Sequence, residues 1–98
     1  MSSSGQPEAT GRLRRALVAF QRSQGMLLAT HRKLKGLPAE EVDRFWAAQG
    51  SQIDRHIQAA AIEVTAAFNA FSAAGLVASA DDRHLVSEAQ RRLAEGNG

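Results

Sequence analysis

The run Lys35-Gly36-Leu37-Pro38-Ala39-Glu40-Glu41 decides the fold. Gly36 is free to take the left-handed conformation that closes a helix, and Leu37 can cover the turn before it. Pro38 cannot extend the helix behind it, but its fixed φ suits the opening of the next. Arg32, Lys33 and Lys35 sit at the negative end of the first helix dipole, Glu40 and Glu41 at the positive end of the second. A connection this short leaves its two helices as antiparallel neighbours.

Outward from this turn, the pattern predicts three helices, over about 8–35, 38–74 and 80–95, in one domain spanning 7–95. Pro7 suits a first helical position, and Gly11 moves the expected start toward Arg12. Gly75 closes the second helix, with Leu76 as its apolar partner. Ser79 caps the third, with acids following in its first turn. Residues 1–6 read as a disordered Ser/Gly tail and 96–98 as a frayed end. No period-two alternation is present, so the expected class is all-α: a long hairpin plus a short third helix, completing a bundle by self-association.

The first helix places Leu13, Leu17, Phe20, Gln24, Leu27, His31 and Leu34 on one heptad seam. The second carries Val42, Phe45, Gln49, Ile53, Ile57, Ala60, Val64, Phe68 and Phe71, and the third Leu85, Val86, Ala89 and Leu93. Folding about residue 37 sets 28 opposite 46, 24 opposite 50, 20 opposite 54 and 17 opposite 57. Gly25 and Gly50 then share a level beside Gln24 and Gln49. This pattern suggests a close helix approach or a bend, with a polar layer fixing register. The same count leaves Phe68 and Phe71 beyond the first helix, to be covered by the third helix or by a second chain. Each is worth about 1.5–3 kcal/mol when buried.

The chain has 98 residues, no cysteine and a net charge of +2. That is one domain with a thin core and no thiolate metal site or disulfide scaffold. Met1 to Pro7 lacks a basic start followed by an apolar run, so no signal peptide is read there, and no stretch approaches the ~20 apolar residues of a membrane span. The expected location is the cytoplasm. The charge is unevenly placed: Glu8 to Lys35 carries seven bases against one acid, whereas Pro38 to Ala74 carries five acids against two bases. Attraction between neighbouring helices accounts for this without a further partner.

No chemistry-bearing constellation stands out. His31, His56 and His84 fall at different levels, with no His pair at i,i+4 and no Glu-x-x-His, so no metal or cofactor is expected. Glu40, Glu41 and Asp43 are explained by the helix start. No nucleophile elbow or phosphate loop is present, and the chain reads as a non-enzyme. Arg12, Arg14, Arg15, Arg22, Arg32 and Lys33 form a basic face that could track phosphates. Without interleaved aromatics, nucleic acid is the second choice of partner, and a membrane surface is not expected.

In size and hairpin outline the chain resembles the small secreted helical-hairpin proteins that carry Trp-x-Gly at their turn. Here the turn is Gly36-Leu37-Pro38, and Trp46 is followed by Ala47-Ala48-Gln49-Gly50 inside the second helix. His84-x-x-x-Glu88 loosely echoes their C-terminal export signal but lacks its tyrosine. What the resemblance implies is a secreted partner protein or a small subunit of a larger complex. The leading expectation is an interaction module that forms a homodimer or binds another helical protein. Its expected contact residues are Trp46, Ile62, Phe68, Phe71 and Met26.

Overall fold

The computed structural model describes residues 5–96, which form three helices: α1 (Gly5–Leu34), α2 (Ala39–Ala73) and α3 (Ala80–Gly96). Residues 1–4 and 97–98, parts of the expected tail and frayed end, lie outside the described residues. Gly5 and Gln6, expected in the tail, are helical, and Gly11 does not delay the start of α1.

The α1–α2 turn is built as its residues suggest. Gly36 has φ +91°, and the Leu37 amide donates to the Leu34 carbonyl at 3.1 Å. Pro38 stands as the N-cap of α2, its carbonyl accepting from the amides of Glu41 and Val42. The second turn is a full Schellman closure: Gly75 has φ +81°, its amide donates to Ser72, and the Leu76 amide donates to Phe71. Ser79 caps α3 through its hydroxyl, which accepts from the Asp82 amide at 3.1 Å.

The helices run antiparallel in sequence order, and the register lies within a few residues of the expected one. Arg12 meets Glu63, His31 meets Trp46, and the Gln6 side chain reaches the Ala74 carbonyl. Leu13, Ala16, Leu17 and Phe20 of α1, Ile57, Ala61, Val64, Ala67 and Phe71 of α2, and Ala78, Val86 and Ala89 form one core. Alanines at 61, 67 and 89 are fully enclosed, which lets α3 lie close on α2.

The fold decides how Phe71 is covered and corrects the reading of the mid-helix glycines. Phe71 is buried, 7% exposed, because α1 begins early enough to reach its level and α3 folds back over the groove containing it. Phe68 is half-buried and stacks on Phe71 with centroids 6.5 Å apart. The two mid-helix glycines mark no close approach. A methyl group at Gly25 would meet nothing within 4 Å, and at Gly50 only the Trp46 side chain at ordinary contact distance. No hydrogen bond joins Gln24 to Gln49 among the described residues, and Gln49 is exposed.

The glycines therefore predict substitutions of opposite sign. Gly25→Ala raises stability by about 1 kcal/mol, because it restores helix propensity at no steric cost. Gly75→Ala lowers it by about 1–2 kcal/mol, because alanine must hold a left-handed conformation. Urea titration of both variants checks this.

Candidate functional site

α3 has 17 residues and α2 has 35, so α3 covers only part of the hairpin. The end of α3 lies where Arg92 and Glu95 face Asp54, Arg55 and Gln58 of α2, and where Gln24 of α1 borders the same segment. Beyond that level the hairpin consists of two helices alone. Two helices cannot enclose a seam, because each leaves both flanks open to water.

The burial pattern divides accordingly. Among residues 24–53, Leu34 alone is buried. Leu27, Val42, Phe45, Trp46 and Ile53 are half-buried, while Met26 and Leu28 are 62% and 59% exposed. Leu37, at the turn, is also exposed. Trp46 is propped between His31, centroid distance 5.1 Å, and Phe45, 5.2 Å edge-on. His31 leaves the seam assigned to it and tilts over the indole from the exposed side. On the opposite flank, Met26, Leu27, Gln49, Ile53 and His56 line an open groove of about 280 Å³.

The shape reflects this division. The molecule extends 59 × 24 × 19 Å with a radius of gyration of 16.4 Å. A compact chain of this length has a radius of about 12.6 Å. Its accessible surface is 6840 Å², against roughly 5,400 Å² for a compact monomer of this mass.

The expected contact residues are thus not brought together. Trp46 and Met26 belong to the open half. Ile62 is exposed on the outer side of α2, at the level of the closed half. Phe68 and Phe71 belong to the closed end. Leu28 and Phe45 were not singled out: Leu28, 59% exposed, lies off the heptad seam, and Phe45, half-buried, lies on a seam expected to be enclosed.

Of the basic residues, Arg12 alone is engaged by a carboxylate among the described residues, donating to both Glu63 oxygens at 2.8 and 3.0 Å. Arg14, Arg15, Arg22, Arg32 and Lys33 are exposed. The described residues hold no group of three or more His, Cys, Asp or Glu placed to bind a metal. His84 pairs with Glu88 along α3 at 3.1 Å. No described helix is long and apolar enough to cross a membrane. Comparison with protein-family models, curated proteins and solved structures finds no match.

The Arg12 hydrogen bond holds the Glu63 carboxyl below its ordinary range, against a smaller opposing effect of burial and with added attraction from Arg12 and Arg15. A lowered native value means that the contribution is complete above the ordinary glutamate range. It is lost as pH falls through that range to the lowered value. Both side chains are nearly half exposed, so the effect is small and screened by salt. Glu63→Gln is expected to be slightly less stable than the parent at pH 7. The difference vanishes in acid and in molar salt, as thermal melts across pH will show.

Proposed function

We propose that the chain is a non-enzymatic helical assembly module whose open hairpin half pairs with a second copy. The observation that carries this reading is the burial pattern over residues 24–53, where a seam of large apolar side chains encloses only Leu34. Completing that seam takes two more helices, and a second open half supplies two of matching length and character.

Shape and charge favour a copy of the same chain as occupant. The end of α3 forms a step, and the uncovered stretch beyond it is about 16–22 Å long at 1.5 Å per residue. A second hairpin entering antiparallel points its turn at that step. Lys35 of the entering turn then approaches Glu95 and the negative end of the α3 dipole, while Glu40 and Glu41 approach Arg91 and Arg92. A two-fold axis repeats each contact, as a closed dimer requires. The surface in excess of a compact monomer, roughly 1,400 Å², exceeds the ~800 Å² per partner of a standard interface.

Leu28 and Trp46, with Leu27 and Ile53 in the seam beneath them, form the contact in this reading. Sedimentation equilibrium at high micromolar concentration is expected to give twice the 10.5 kDa chain mass. Trp46→Ala should weaken pairing by about 30-fold or more, the cost of losing a central aromatic anchor. Leu28→Glu should give a monomer of unchanged helix content. A parent chain that stays monomeric at that concentration overturns the proposal.

A further inference from the structure

We infer that the outer face of α1 binds the phosphate backbone of duplex nucleic acid, independently of sequence. At 100° per residue, Arg14, Arg15, Arg22, Arg32 and Lys33 fall within an arc of roughly 100°, turned away from the buried line of Leu13, Phe20 and Leu34. No acid occurs between Ala9 and Leu34. None of the five cations has a carboxylate within bridging distance among the described residues, whereas Arg12, outside the arc, is held by Glu63. Attraction between α1 and α2 thus accounts for Arg12 and in part for Arg15, and leaves Arg14, Arg22, Arg32 and Lys33 unexplained.

The layout suits a duplex. Along the helix, Arg22 stands about 11 Å from the Arg14–Arg15 pair and about 15 Å from Arg32–Lys33. These intervals are comparable with the ~12 Å width of the major groove, so successive clusters can reach phosphates on opposite rims. Between the clusters the face is low: Gly25 and Ala29 are exposed, and nothing stands within 4 Å of the position a Gly25 side chain would take. A stiff polyanion can approach the helix backbone there. Single-stranded nucleic acid would want stacking aromatics, but the one aromatic ring of α1 outside His31, Phe20, is fully buried. An anionic membrane would want bulky apolar side chains among the cations; within the arc Val18 stands alone, while Met26 and Leu28 lie outside its two edges.

The face points away from the α1–α2 seam, so the inference holds whether or not the chain pairs. Five phosphate contacts predict that log K for a 20-base-pair duplex falls against log salt with a slope of about −4.5, a loss of about 500-fold between 50 and 200 mM. Arg22→Gln with Arg32→Gln and Lys33→Gln should flatten the slope by about 2.7 while leaving the helical spectrum unchanged. Arg12→Gln, which opens the hairpin ion pair, should leave the slope in place. Fluorescence anisotropy with labelled duplex, beside a pelleting assay with phosphatidylglycerol vesicles, reads all of this. No duplex binding at 50 mM salt, a slope unmoved by the triple variant, or binding to vesicles in preference to duplex would overturn it.

Discussion

A helix of 17 residues is laid against one of 35, and this mismatch in length shapes the rest of the molecule. Where all three helices overlap, Phe20, Ile57 and Val64 are sealed from water, and enclosed alanines let α3 approach α2. Where α3 stops, the same heptad logic continues on α1 and α2 with nothing to close it. The apolar side chains there were placed by the same periodicity that placed the core, yet only Leu34 is buried. The extended shape follows from that arrangement.

α1 therefore serves three surfaces. One stripe feeds the closed core through Leu13, Ala16, Leu17 and Phe20. The continuation of that stripe, with Leu27 half-buried and Leu28 exposed beside it, lies over the open half. The remaining face is basic and carries no acid after Glu8. Arg12 lies at the border between faces and is drawn to Glu63, helping to hold the hairpin at the end far from its turn. The turn at Gly36 and the Schellman closure at Gly75 fix the helix order, so the open half necessarily lies next to the α1–α2 turn.

Much of this was legible in the sequence. Gly36-Leu37-Pro38, Gly75-Leu76 and Ser79 announced both turns and a cap, since each works through its own backbone chemistry within a few residues. Folding about residue 37 placed Arg12 within one residue of its true partner. Counting helix lengths left Phe68 and Phe71 beyond α1, to be covered by the third helix or by a second chain; the structure buries Phe71 because α1 starts at Gly5 and α3 folds back over that end. The length of α3 was legible, but the flank of the hairpin it lies against is a matter of tertiary packing. The pairing of Gly25 with Gly50 misled for a related reason: an exposed glycine and one facing a helix partner look identical in sequence, and only the neighbouring atoms tell them apart.

Amide hydrogen exchange, followed residue by residue at a dilution where the chain is monomeric, tests the division into a closed and an open half most directly. Amides over 13–20, 57–71 and 85–89 should exchange only through global unfolding. Those over 27–33 and 42–53 should exchange through a smaller opening, orders of magnitude faster. On concentrating the sample, the second group alone should slow. Equal protection in both halves of the dilute monomer would contradict the account.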